Sequence, residues 1–186
     1  FERIAVIKNE GGYNDDTDVT LRILADFGHA VERAEAEAVG HRVFWGRDRD
    51  GLILAERPLT DEALLGRLAA TARLAIFTGR GPNTARHTLG RFYGSIEFAP
   101  VVTSDMPRRL KPAPDGLLHI LKAHPGAEPL YVGDTVDDAR AARAAGVPFV
   151  GVAAPHAPLR TETVALLRAE GARAVLESVG QLEEVL

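Results

Sequence analysis

Three carboxylates lie close together in the second half of the chain. Asp134, Asp137 and Asp138 follow the short apolar run 130–132, with Gly133 before the first of them. Carboxylates this close repel one another unless a cation or a hydrogen-bond network neutralises them. Hard oxygen ligands suit Mg²⁺ better than a soft metal, so the cluster predicts a Mg²⁺ site. The alternative is that one of the later aspartates only caps a following helix.

A hydroxyl group and an amine follow two earlier apolar runs. The segment Thr78-Gly79-Arg80-Gly81 comes directly after run 74–77, and its glycines let backbone N–H groups approach an anion closely. Lys111 follows run 100–103 and precedes Pro112. Only three of the 22 basic residues are lysines, which favours a requirement for a compact point charge at Lys111. The alternatives are a threonine cap in a tight turn and an ordinary surface lysine.

This set of groups suits a phosphoryl group held beside Mg²⁺. In this hypothesis Thr78 and the backbone amides near Gly79 bond the phosphate oxygens, and Lys111 offsets their charge. Asp134 anchors the metal ion. Arg80 neighbours the expected phosphate and is a further binding candidate, the alternative being that it pairs with an acid on the surface.

Short apolar runs rich in Val, Ile and Phe alternate with segments of helical length and composition. The predicted strands are 74–77, 100–103, 130–132 and 149–152, with a weaker one at 174–176, and the predicted helices are 83–92, 113–123, 137–145 and 159–170. This alternation predicts an α/β fold with a parallel, doubly wound sheet. Ligands of such sheets bind beyond the carboxyl ends of the strands, which is where the three candidate groups fall.

The chain before Pro58 has a different pattern. It is helical and polar, with a turn-rich loop at residues 11–16 that should precede a capped helix. We therefore divide the chain into a helical segment, residues 1–58, and an α/β core, residues 59–186.

The composition excludes several classes of protein. The chain has 22 basic and 26 acidic residues, a net charge of −4 and no cysteine. It therefore carries no basic footprint for nucleic acid, no polybasic membrane patch and no thiol nucleophile. No apolar run approaches the roughly 20 residues that a membrane span needs. We expect a cytoplasmic protein with a small-molecule partner, and we make no prediction of its oligomeric state.

The segments around Thr78, Lys111 and Asp134, in their order along the chain, resemble the motifs of the haloacid dehalogenase-like (HAD) phosphohydrolase superfamily. Residues 75–80 are similar to its second motif, 111–114 to its third and 133–138 to its fourth, which continues through a helix to Pro148. The resemblance extends from about Asp61 to the carboxyl terminus. Residues 8–16 are similar to a segment in one uncharacterised branch of these phosphatases.

The resemblance implies a Rossmann-like core, bound Mg²⁺ and hydrolysis through an aspartyl-phosphate intermediate. It also implies that residues 1–58 form an incomplete helical cap. The expected activity is that of a phosphatase for a small phosphorylated metabolite, with Thr78 and Lys111 as catalytic residues. Thr78, Gly79, Arg80 and Lys111 would bind phosphate, and Asp134, Asp138 and Asp137 would bind the metal. The alternatives are a catalytically silent binding domain of the same fold and a phosphomutase.

The first motif of the superfamily, an apolar strand ending in Asp-x-Asp-Gly, has no clear counterpart. Asp48-Arg49-Asp50-Gly51 matches this pattern in residue type. The apolar run before it, 43–45, is short, and two further residues separate it from Asp48, so we interpret this stretch as a loop. We therefore expect the nucleophilic aspartate to lie upstream of Phe1, and the alternative is that Asp48 is the nucleophile. Without the first strand, either another segment fills its place or the sheet is rearranged.

Overall fold

Five short strands and their crossover helices form the larger of two units in the chain. The computed structural model describes residues 1–186, and their contacts define one unit of Phe1–Asn14 with Leu59–Leu186 and another of Asp15–Pro58. The larger unit contains α1 (Glu2–Glu10), α4 (Glu62–Ala69), β1 (Leu74–Phe77), α5 (Pro82–Phe92), β2 (Phe98–Val102), α6 (Asp115–Ala123), β3 (Tyr131–Gly133), α7 (Val136–Ala145), β4 (Phe149–Val152), α8 (Arg160–Ala169), β5 (Ala174–Leu176) and a 3₁₀ helix (Val179–Glu184). The smaller unit contains α2 (Asp16–Asp26), α3 (Arg33–Trp45) and a 3₁₀ helix (Leu52–Ala55).

All strand pairs are parallel, which confirms the predicted α/β class. The strands form two sheets, β1-β2 and β3-β4-β5, rather than one continuous sheet. Ile76 lies opposite Val101 in the first sheet, and Tyr131 lies opposite Phe149 in the second. β1 and β3 each have one edge without a strand partner within residues 1–186.

The two sheets contribute to a common hydrophobic cluster. Phe77 at the end of β1 belongs to the same buried cluster as Ala139 of α7 and Phe149 of β4. The ring of Tyr131, on β3, has its centroid 6.2 Å from that of Phe77. Burial of these apolar surfaces is the main source of stability in such a core, so the packing of side chains holds β1 near β3 without a backbone ladder between them.

Residues 1–14 belong to the same unit as the α/β core, whereas the predicted boundary at Pro58 places them in the helical segment. Ile7 on α1 is fully buried. The Thr163 hydroxyl of α8 donates a hydrogen bond to Asn9 Oδ1 at 3.2 Å, and Arg140 Nη1 of α7 donates to the Glu10 carbonyl at 3.4 Å. These long-range contacts, which no local pattern encodes, tie the amino-terminal residues to α7 and α8.

The smaller unit is helical throughout. Asp15 caps α2 by accepting a hydrogen bond from the N–H of Thr17 at 2.6 Å, as the turn-rich loop predicts. Run 43–45 forms the last turn of α3 and not a strand. The exposed Asp48 follows it in a turn in which Asp50 accepts a hydrogen bond from the N–H of Arg47 at 3.0 Å. The interpretation of this stretch as a loop is therefore confirmed.

The length and apolar character of the helices bear on whether the chain could cross a membrane. None of them combines the length and the apolar character that crossing a bilayer requires.

Candidate active site

Lys111 is the buried cation at the carboxyl edge of the strands. Its Nζ donates a hydrogen bond to Asp138 Oδ1 at 2.8 Å and a longer one to the Tyr131 hydroxyl at 3.4 Å. The same Nζ lies 4.8 Å from the centroid of the Phe77 ring, a cation–π contact. Because Phe77 ends β1 and Asp138 lies on α7, Lys111 connects the two sheets at the predicted site.

Asp138 neutralises this cation. Besides Lys111, it accepts hydrogen bonds from the Tyr131 hydroxyl at 2.6 Å and the Thr135 hydroxyl at 2.7 Å. The backbone N–H groups of Thr135 and Asp134 also donate to Oδ2, at 3.0 and 3.2 Å. Burial alone would raise the pKa of Asp138, but the charge of Lys111 and these hydrogen bonds outweigh burial and hold the pKa below its usual range. Asp138 is therefore an ionised carboxylate whose two oxygens are both occupied by protein donors.

Asp138 also has the capping role that the sequence left open as an alternative. The Thr135 hydroxyl accepts a hydrogen bond from the N–H of Asp138 at 3.1 Å, which with the reciprocal bond forms a capping box at the start of α7. The helix start thus fixes the carboxylate that faces Lys111.

Asp137 faces a different partner. Its two oxygens lie 2.8 and 2.9 Å from the backbone N of Gly12, which donates to both. The residue is only 2% exposed, and this burial raises its pKa despite the hydrogen bond from Gly12. Asp137 therefore contacts the amino-terminal segment instead of opening toward solvent.

Asp134 is the exposed aspartate of the three. It follows β3 directly, at the carboxyl end of the strand. Protein atoms crowd its carboxylate although the residue reaches solvent, and this desolvation, together with the negative charge of Asp138, raises its pKa. A nearby cation would stabilise the ionised form of such a desolvated carboxylate, so Asp134 has the properties of a metal ligand.

The loop after β1 presents Thr78 and Gly79. The N–H of Arg80 donates to Thr78 Oγ1 at 3.1 Å, which leaves the threonine hydroxyl proton for another acceptor. The Arg80 side chain donates to the Thr88 hydroxyl of α5 at 3.0 Å. This contact with a hydroxyl group supports the alternative that the Arg80 side chain makes a surface contact within the protein.

The residues fit a bound Mg²⁺ only in part. No group of three or more acidic or histidine side chains is arranged to hold a metal ion. Asp134 provides one suitable oxygen ligand, whereas Asp137 and Asp138 are engaged by protein donors. Residues 1–186 thus contain one ligand of the predicted type and not a complete set.

Two elements of the site carry no clear signal in the sequence. Tyr131 lies in an apolar strand where a phenol has no distinguishing pattern, yet its hydroxyl binds Asp138. Gly12 belongs to the segment 8–16 that resembles a branch of the superfamily, and that resemblance was the one indication that it has a role. Their contacts span long sequence separations, which periodicity does not report.

Comparison with known families gives a match over more than half of the chain. The family model described as haloacid dehalogenase-like hydrolase matches residues 5–146 of the chain. No curated protein matches the sequence closely enough to count as a relative.

Solved structures show the same fold. A phosphonoacetaldehyde hydrolase-like protein from Oleispira antarctica has a TM-score of 0.71 at 19% identity, covering 98% of this chain and 78% of that one. A protein from Thermotoga maritima, provisionally described as a β-phosphoglucomutase, has a TM-score of 0.65 at 18% identity, covering 100% and 89%. A hydrolase from Pseudomonas syringae has a TM-score of 0.61 at 24% identity, covering 84% and 75%. At these identities the likeness concerns the fold alone.

Proposed function

Because the chain belongs to the haloacid dehalogenase-like hydrolase family, we propose that it is part of a Mg²⁺-dependent phosphatase for a small phosphorylated metabolite. The observation that carries this proposal is the buried Lys111, which Asp138 holds at 2.8 Å. Its Nζ lies 4.8 Å from the ring of Phe77, the residue before Thr78, and the N–H of the exposed Asp134 donates to the same Asp138. A fixed amine, a hydroxyl donor and an exposed carboxylate at the carboxyl ends of the strands suit a phosphate ester better than a neutral substrate.

Each residue has a separate role toward the phosphate. The Thr78 hydroxyl donates to one phosphate oxygen. The backbone N–H of Gly79, the next residue in the same loop, donates to a second. Lys111 offsets the negative charge of the phosphoryl group, and its position is set before the substrate arrives because Asp138 already holds it. Such preorganisation lowers the cost of stabilising charge in the transition state.

Asp134 would hold Mg²⁺ in this site. When bound, the ion supplies a positive charge that polarises the phosphoryl oxygens. Asp134 is exposed, whereas protein donors already occupy the carboxylates of Asp137 and Asp138, and this favours Asp134 as the ligand over either of them.

We propose that the nucleophile is an aspartate on a strand outside residues 1–186. The unpartnered edges of β1 and β3 support a strand between them. The carboxylate of such a residue would attack phosphorus and form an aspartyl phosphate, and the P–O bond to the ester oxygen would break. The ester oxygen would leave as an alkoxide that takes a proton from solvent to become the alcohol. Water would then cleave the aspartyl phosphate and release inorganic phosphate.

A second candidate is a binding domain without turnover. It is favoured by the satisfied carboxylates of Asp137 and Asp138, which leave Asp134 as the exposed acid of the cluster. In that case residues 1–186 bind phosphate and catalyse no reaction.

An assay with p-nitrophenyl phosphate and MgCl₂ tests the proposal. We expect hydrolysis by a chain extended upstream of Phe1, and loss of that activity in Lys111→Met. The control is Lys122→Met, which removes an exposed lysine in the last turn of α6 and should leave the rate unchanged. Activity in neither the extended chain nor residues 1–186 would support the binding domain. Hydrolysis that survives Lys111→Met would contradict the site assignment.

A further inference from the structure

We propose that residues 11–14 form one wall of the phosphate site and that Asp137 is the residue that positions them. This inference rests on the proposed function, since it assigns a role to a segment at the phosphate-binding loop. It differs from the sequence-based prediction that Asp137 is a metal ligand.

One end of the segment is fixed on α7. The N–H of Gly12 donates to both oxygens of Asp137, at 2.8 and 2.9 Å, across 125 residues of sequence. Asp137 is 2% exposed, so its carboxylate has no open side for a metal ion. A hydrogen bond to an ionised acceptor is among the stronger ones in proteins. The bond therefore holds Gly12 at the first turn of α7.

The other end lies on the loop after β1. A Cβ atom at position 79 would overlap Asn14 Nδ2, so the Asn14 side chain lies directly against the loop at Gly79. Gly79 is the residue next to Thr78, the proposed phosphate donor. Residues 11–14 therefore run from Asp137, on the side of the second sheet, to the phosphate loop of the first.

Asn14 gives this wall a polar group. Its Nδ2 is buried and has no hydrogen-bond partner. A buried amide without a partner is costly, and proteins retain such groups where another component satisfies them. We assign this amide as a donor to the substrate, either to a phosphate oxygen or to the ester oxygen beside it. The two acceptors belong to the same ligand class, a phosphate monoester.

The test compares Asp137→Ala, Asp137→Asn and Asp134→Asn in the chain extended upstream of Phe1, which carries the proposed additional strand. Amide exchange of Gly12 is followed by NMR, and affinities for Mg²⁺ and for inorganic phosphate are measured by calorimetry. In Asp137→Ala we expect Gly12 exchange to accelerate about tenfold or more and phosphate affinity to fall, with Mg²⁺ affinity unchanged. Asp137→Asn keeps one acceptor oxygen and should restore part of both effects. Asp134→Asn should show the converse pattern, with loss of Mg²⁺ affinity and unchanged Gly12 exchange.

Two results would overturn the inference. One is loss of Mg²⁺ affinity in Asp137→Ala equal to that in Asp134→Asn, which would make Asp137 a ligand. The other is unchanged phosphate affinity in both Asp137→Ala and Asn14→Ala, which would place the segment outside the site. If the wild-type chain bound no phosphate at all, both the proposed function and the substrate-binding wall would fail, whereas the Gly12 exchange rates would still decide whether Asp137 anchors the segment.

Discussion

Lys111 and Asp138 form an ion pair of 2.8 Å with only 7% and 4% of their side chains exposed. Removing two charges from water costs more than an isolated pair regains, so such a pair persists only with further hydrogen bonds. Tyr131 and Thr135 provide these bonds to Asp138, and the Phe77 ring covers Lys111. The arrangement is better explained by the need for a fixed amine than by stability.

Substitution of Lys111 by Met should destabilise the fold by about 3 kcal/mol or more, because it leaves Asp138 ionised and buried without its cation. The measurement is urea-induced unfolding followed by circular dichroism. The exposed Lys122→Met serves as the control and should stay within about 0.5 kcal/mol of the wild type. An equal and small effect of both substitutions would show that Asp138 does not depend on Lys111.

Substitution of Tyr131 by Phe should cost about 1.5–3 kcal/mol, the range for a hydrogen bond to a charged group. The phenol stays protonated at all working pH values because burial and the charge of Asp138 raise the pKa of Tyr131 well above 10.0. Tyr93→Phe is a matched control, since its hydroxyl donates to the neutral carbonyl of Thr60 at 3.2 Å. Unfolding experiments should show a smaller loss for Tyr93→Phe, and the reverse order would contradict the charged-acceptor role of Asp138.

Much of the α/β core could be predicted because its signals are local. The runs at 74–77, 149–152 and 174–176 form strands at those residues, since Val, Ile and Phe favour buried strands and helix caps mark the breaks. Run 100–103 forms a strand from Phe98 to Val102, a small shift at its boundaries. The parallel pairing then follows from the alternation of strands and helices.

The site was only partly predictable, for a physical reason. The order of Thr78, Lys111 and Asp134 along the chain indicated which strand ends meet. Which carboxylates remain open depends on donors that fold back from far away, such as Gly12 on Asp137. A cluster of acids in sequence therefore predicts strong electrostatic interactions, but tertiary structure decides whether a metal or a protein group neutralises them.

Substitution of Asp134 by Asn should raise the melting temperature at neutral pH in the absence of Mg²⁺. Desolvation raises the folded-state pKa of Asp134 above its ordinary 3.8. The protonated form is thus favoured in the fold, and that contribution is present below pH 3.8 and is lost as the pH rises through the folded-state value. The advantage of Asn should therefore appear above this range and vanish at lower pH. Differential scanning calorimetry across pH 3–8 measures it, and a lower melting temperature for Asp134→Asn at pH 7 would contradict the assignment.

Substitution of Gly116 by Ala should destabilise the core and displace Lys111. A Cβ on Gly116 of α6 would overlap the Phe77 ring, which lies under the Lys111 amine. Overpacking of this kind costs about 1–3 kcal/mol. Gly66→Ala is a matched control in α4, because a Cβ there meets no atom within 4 Å, and it should stabilise the fold by about 0.5–1 kcal/mol through helix propensity. Unfolding curves measure both changes. Opposite signs for the two variants are expected, and stabilisation by Gly116→Ala would mean that Phe77 is free to move away and does not fix the position of Lys111.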